Sequence, residues 1–364
     1  MKHNFGAGPG ILPQQVLKQA AEAVLNFNNS GLSILEISHR TADFESVVSE
    51  ACSLVKELLN LNDDYAITFL HGGASTQFAM VPYNLLGEGE TAAYLDSGTW
   101  ASKALKEAKF FGNVNVVASS KEANYSYIPK GYTIPTDAKY FHVTSNNTIY
   151  GTQLHEFPES PIPLVSDMSS DIFSRVFDAN KFGLIYAGAQ KNMGAAGVAL
   201  AVVRKDLLGK IDRKIPSMFN YQLHADNGSM YNTPPVFAIY VAMLTLRWVK
   251  EQGGVAAMEK INNQKAATLY AEIDRNPLFK GTCAVEDRSR MNVCFVMDNA
   301  EEEKEFLDFA KKADIVGLKG HRSVGGFRAS IYNALPQSSI DHLVSVMQQF
   351  EQLKKINQPL NSLT

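Results

Sequence analysis

The chain has 364 residues, 45% of them hydrophobic, enough for a sizeable core and for more than one packed unit. A net charge of -3 with no lysine–arginine cluster argues against a nucleic-acid partner and for a small molecule. Cys52, Cys283 and Cys294 form no CxxC pair, no metal site is suggested, and no apolar run is long enough to span a bilayer. An unexported, cytoplasmic protein is expected.

Phe5 to Gly10, FGAGPG, has the glycines of a dinucleotide loop, but no strand precedes it, so an ordered, turn-rich N-terminal arm over residues 1–15 is expected. Val16, Leu17, Ala20 and Val24 predict a helix over Pro13 to Phe27. Ser38-His39-Arg40-Thr41 precedes a second helix, with apolar positions from Phe44 to Leu59. There His39 and Arg40 form either an anion clamp or a solvated loop. Tyr65 to Leu70 is a strand that runs into HGGAST and a helical pattern over Gln77 to Leu86, with Pro82 bending or ending it. Strand, glycine loop and helix N-terminus in that order cradle an anion, because free N–H groups and the helix dipole face it. Ser75 and Thr76 add hydroxyl donors; without a ligand this is an ordinary strand-to-helix turn.

Ala92 to Leu95 is a strand, and Trp100 follows it in a loop before a helix over Ala101 to Phe110. The indole either stacks on a flat ring or anchors the loop. Strands follow at Val114 to Ala118 and Tyr140 to Thr144, the latter running into the polar stretch Ser145 to Gly151. Polar residues beyond a strand's C-terminal end are where ligands collect in α/β sheets. Asp167 ends the short strand that starts at Pro163, either as a semi-buried carboxylate needing a cation or as a helix cap.

The segment YAGAQKNMGAAG, Tyr186 to Gly197, lies between two apolar runs and holds one lysine, Lys191, flanked by Gln190 and Asn192. A lysine kept neutral by desolvation forms Schiff bases; otherwise it is a surface lysine in a tight loop. Further on, Thr233 is placed to cap a nearly all-apolar helix from Val236 to Val249, with Pro234 at its first position. Asn232 and Thr233 at its mouth are a second potential anion site. From about Gly254 a smaller α/β unit is expected: helices over Val255 to Ile273, Glu301 to Ala313 and Ser338 to Lys355, and strands at Asn292 to Met297 and Phe327 to Tyr332. His321, Arg322 and Arg328 lie on its glycine-flexed segment and suggest anion recognition.

Alternating strands and helices imply a largely parallel sheet wrapped in helices, an α/β fold with ligand groups at strand ends. Together the candidates match the needs of pyridoxal 5'-phosphate: Lys191 for the imine, Asp167 for the ring nitrogen, Trp100 to cover the ring, and Ala74, Ser75 and Gln190 for the phosphate.

The motifs AGAQKNMGAAG, SDMSSDIFSR, SGTWASKA, NNTIYGT, MYNTPP, ISHR and GLKGHRSVGGFRASIYNALP resemble those of the phosphoserine aminotransferase family, in the same order and over essentially the whole chain. The resemblance implies a fold-type I pyridoxal phosphate transferase of class V. Its large domain, residues 16–254, would hold a mostly parallel seven-stranded-type sheet, and a smaller C-terminal α/β domain would cover residues 255–364. It implies a homodimer with shared active sites, in which Asn232 and Thr233 reach the neighbouring subunit's cofactor phosphate. It also implies that Thr148 contacts the ring hydroxyl. His39, Arg40, His321, Arg322 and Arg328 would bind substrate phosphate and carboxylate, the first two from the partner chain. The implied substrates are L-glutamate and 3-phosphooxypyruvate, giving O-phospho-L-serine, with 4-phosphooxy-L-threonine as a further one. Some family members carry arginine where this chain has Ser75, and there it assists substrate binding. A cysteine desulfurase or other lyase on the same fold is the alternative; it needs a reactive cysteine near the site.

Overall fold

The computed structural model describes residues 2–357, so 358–364 of the expected C-terminal unit lie outside the described residues. Seven strands make the central sheet: β1 Tyr65–His71, β2 Thr91–Asp96, β3 Asn113–Ser119, β4 Phe141–Thr144, β5 Leu164–Asp167, β6 Phe182–Gly188 and β7 Val198–Arg204. Their spatial order is β1-β7-β6-β5-β4-β2-β3, and β7 alone among them runs against its neighbours. β5 and β6 are buried at every position, which is why they read as unbroken apolar runs.

Both faces of the sheet are covered. Phe141, Val143, Leu200 and Val202 pack towards α1 (Gln14–Leu25), α2 (Ala42–Leu58) and α5 (Val236–Glu251). Their alternates Tyr94, Tyr140, Ala201 and Val203 pack towards α3 (Ala74–Leu85) and α4 (Thr99–Ala108). A further core joins α6 (Gly254–Arg275), α7 (Ala300–Lys312) and α8 (Gln337–Asn357) to a small antiparallel sheet of β8 Lys280–Gly281, β9 Asn292–Val296 and β10 Phe327–Ser330.

Several elements differ from expectation. Trp100 stands in the first turn of α4, because Gly98 already serves as its N-cap. Likewise α3 begins at Ala74, leaving only Gly72 and Gly73 as the loop. Pro82 sits near the end of α3, which closes at Leu85. Thr233 is not the cap of α5: that helix starts at Val236 after Pro235. Proline at 235 disfavours helical backbone at the residue before it, so the helix cannot start at Pro234.

The N-terminal residues are ordered, with bends over 7–9. His3–Asn4 pairs in parallel with Ile315–Val316, and Phe5 is buried in the core of the small sheet. Gly317 permits this: its φ is +76°, and a Cβ there would stand 2.5 Å from Gly6 N and 2.8 Å from Gly6 Cα, both backbone atoms. Gly317→Ala therefore combines left-handed strain with a backbone clash and should cost at least about 2 kcal/mol. The checks are a lower Tm and faster proteolysis at the N-terminus; a wild-type Tm would contradict the account.

Candidate active site

The C-terminal ends of the parallel strands converge on one edge of the sheet, and the loop from β6 to β7 crosses it carrying Lys191. That loop is tied internally, with the Ala189 N–H donating to Val198 O (3.0 Å) and Gly194 N–H to Ala189 O (2.7 Å). Lys191 is thus fixed at its base; the residue as a whole is half-buried, with the amine at its buried end. Its Nζ donates to Thr148 Oγ1 (3.0 Å) and lies 5.8 Å from the centre of the Trp100 ring. Burial holds its pKa below the ordinary lysine value; Asp167 opposes that shift and Arg328 adds to it.

Asp167, at the end of β5, is buried, and burial raises its carboxyl pKa against the pull of Lys191 and of Ser169. Its Oδ1 accepts from Ser169 N (2.9 Å) and Ser169 Oγ (2.6 Å). The Ser169 hydroxyl in turn accepts from Gly188 N (3.0 Å), which ties the acid to the strand leading to Lys191. Nearby, Asp171 accepts from Ser145 Oγ, from Gln153 Nε2 (3.0 Å) and from Arg175 (3.3 Å).

The candidate anion cradle rests on a close approach. A Cβ on Gly188 would stand 2.6 Å from Gln190 Oε1 and 3.4 Å from Ala74 N, so Gln190 and the start of α3 share one corner. The N-cap of α3, Gly73, makes no side-chain cap, and the first-turn N–H groups of Ala74 and Ser75 have no partner within the helix. Ser75 is exposed there. Buried polar atoms without partners gather in the same region: Trp100 Nε1, Gln190 Oε1, Asn147 Oδ1 and Ser97 Oγ. Such groups are costly unless something pairs with them. An amine, a buried acid, an indole and a helix N-terminus with orphaned polar neighbours fit pyridoxal 5'-phosphate.

Arg328, on β10, donates from Nη1 to the Thr148 carbonyl (3.3 Å), and its buried Nε has no partner. His321 has a lowered pKa, first through burial and then through Arg328, Arg322 and Lys103, so these cations stand close together. Arg322 is exposed. Four expected residues do not meet Lys191 within the chain. His39 and Arg40 lie in the turn before α2, where Arg40 N–H donates to Ser38 Oγ (3.2 Å). Asn232 and Thr233 lie against His71, whose Nε2 is 2.9 Å from Asn232 Nδ2 and 2.8 Å from Thr233 O.

Two contributors were not singled out from sequence. Ser169 had a signal, since Asp-x-Ser spacing favours a side-chain turn onto the backbone two residues on. Gly10 had none: its N–H donates to Gln190 O (2.7 Å), a contact that only folding creates. The cysteines offer no nucleophile, because burial pushes Cys52, Cys283 and Cys294 each up to about 12 and leaves them as thiols at neutral pH.

The sequence matches the family model for aminotransferase class V over residues 3–343. It is 63% identical to a phosphoserine aminotransferase of Flavobacterium johnsoniae, covering 96% of this chain and 99% of that one. It is 60% identical to that of Bacteroides thetaiotaomicron, over 97% and 99% of the two chains. Among solved structures, phosphoserine aminotransferase from Bacillus circulans subsp. alkalophilus superposes with a TM-score of 0.95 at 46% identity, over 97% of this chain and 99% of that chain. The pyridoxal-phosphate-bound enzyme from Trichomonas vaginalis gives 0.92 at 40%, over 96% and 100%. The chain belongs to the class-V aminotransferases, pyridoxal 5'-phosphate-dependent enzymes, and within them to the phosphoserine aminotransferase family.

Proposed function

We propose that the protein moves an amino group between L-glutamate and 3-phosphooxypyruvate, yielding O-phospho-L-serine and 2-oxoglutarate. One observation carries this reading: Thr148 takes the Lys191 amine on its hydroxyl and the Arg328 guanidinium on its carbonyl, at 3.0 and 3.3 Å. A nucleophilic amine and a fork that pairs with carboxylate are therefore held on one residue.

Pyridoxal 5'-phosphate supplies an electron sink for the bond changes at the substrate Cα. Lys191 would hold the cofactor, and its amine would move the proton at the substrate Cα. Asp167, oriented by Ser169, keeps the proton on the ring nitrogen. Trp100 covers the ring, Thr148 meets its hydroxyl, and Ala74, Ser75 and Gln190 hold its phosphate. Arg328 orients the substrate carboxylate, with His321 and Arg322 turned to the substrate phosphate. In this reading the large unit over residues 16–254 binds the cofactor, and the unit starting at 255 brings the substrate cations, with residues 1–15 as an arm.

The working form is a homodimer in this reading. His39, Arg40, Asn232 and Thr233 stand apart from Lys191 in their own chain, and Leu32 and Leu35, just before His39, are apolar and exposed. His39 and Arg40 would serve the partner's substrate, Asn232 and Thr233 the partner's cofactor phosphate. No described helix is long and apolar enough to cross a membrane. Three free cysteines fit a reducing compartment, and a cytoplasmic location is part of the proposal.

The function is tested by the visible spectrum of the loaded enzyme. O-Phospho-L-serine should bleach the yellow band and 2-oxoglutarate restore it, while L-serine leaves it unchanged; equal bleaching by serine would reopen the substrate assignment. Running the assay with 4-phosphooxy-L-threonine asks whether that substrate is shared. The electrostatics give a pH dependence. Because burial lowers the Lys191 pKa, its neutral amine is available at lower pH than an exposed lysine's. The rate at which the apo-protein takes up pyridoxal 5'-phosphate should therefore rise with pH, with a midpoint below 10.5. Shared sites predict complementation. Lys191→Ala and Arg40→Ala should each lose turnover, and an equimolar mixture refolded together should regain about a quarter of wild-type activity, since half the dimers are mixed and each has one intact site. No recovery would place Arg40 outside the partner's site.

A further inference from the structure

Lys265, on α6, has no part in the reaction above, yet it is 0% exposed. Its Nζ donates to three backbone carbonyls: Tyr332 at 2.7 Å, Ile331 at 2.9 Å and Leu335 at 3.2 Å. An ammonium has three donors, so the match is complete. Among the described residues no acidic group offsets its burial, which pushes its pKa down to about 7. A buried cation without a counter-ion is costly, but an apolar side chain in its place would strand three carbonyls in the core.

Those carbonyls belong to the turn that follows β10, and this turn grips both neighbours of Lys191. On one side, Asn333 N–H donates to Asn192 Oδ1 (3.0 Å), while Asn333 Nδ2 donates to Phe173 O (2.9 Å) and Asn262 Nδ2 donates to Asn333 Oδ1 (2.8 Å). On the other, Tyr332 Oη donates to Ala7 O (2.6 Å), and the N-terminal segment continues to Gly10, which donates to Gln190 O (2.7 Å). The turn directly continues the strand that carries Arg328. We propose that Lys265 is a positioning residue: through its three carbonyl bonds it fixes a clasp, residues 331–335, that sets Gln190 and Asn192 and thereby the base of Lys191. This rests on the role given to Lys191 above, which the Lys191→Ala protein tests separately.

Lys265→Met keeps an unbranched side chain as far as Cε and removes the donors. In the holoenzyme, amide hydrogen exchange read by mass spectrometry should accelerate in peptides covering 7–10 and 331–335, on the order of tenfold beyond any change in the central strands. The pH midpoint of the visible cofactor band should shift, and kcat should fall on the order of tenfold at full cofactor content. Exchange that rises evenly across the protein with its loss of Tm, at an unchanged band midpoint, would overturn the proposal, leaving Lys265 a contributor to stability alone. Lys265→Gln, which keeps two donors, should show the same changes to a smaller extent and decides the matter if the methionine variant does not fold; wild-type exchange and band in the folded glutamine variant overturn the clasp equally. A Lys191→Ala protein that still turned over would instead overturn the role of Lys191, and the exchange result would judge the clasp by itself.

Discussion

An ammonium must lose its proton before it can attack a carbonyl, and in the proposed function the burial of Lys191, which lowers its pKa, favours that loss. The same desolvation threatens the site, because a buried amine and a buried carboxylate are each costly alone. Asp167 and Lys191 answer this jointly: each opposes the shift that burial imposes on the other. The two remain chemically distinct because Ser169 engages one oxygen of the acid and Thr148 the amine.

Arg328 adds a second level of control. Its charge disfavours the Lys191 ammonium. In the proposed function, a substrate carboxylate paired with Arg328 would cancel part of that repulsion. Lys191 would then become more basic with substrate present, when it must accept a proton. The coupling needs no movement, only charges held at fixed distance in a poorly screened cleft.

The sheet explains how such different groups meet. Its parallel strands end on one side, so Asp96, Thr144, Asp167 and Gly188 arrive at a common edge although they are far apart in sequence. Reversing β7 allows β6 to return through a short loop instead of a helical crossover, and that loop holds Lys191 against the edge. α3 and α4 start from the same edge, which puts the N-terminus of one and the Trp100 indole of the other beside the amine.

Residue type by itself determined a good deal of this protein. Buried strands had to be apolar and β-rich, so most of the central strands could be read from their runs, and Lys191, Asp167 and the glycine loop stood out as candidates because few residue types perform the chemistry proposed for them. Trp100 was locally misplaced, since Gly98 starts α4 earlier than hydrophobic spacing suggests. At α5 the proline pair outweighed a good capping residue. Only the tertiary structure decided the strand order, the reversal of β7, the docking of His3–Asn4 beside Ile315, and the burial of Lys265 among carbonyls. The physical reason is that side-chain chemistry and backbone preference are local properties. Desolvation, charge proximity and the pairing of distant backbone groups exist only once the chain has closed on itself.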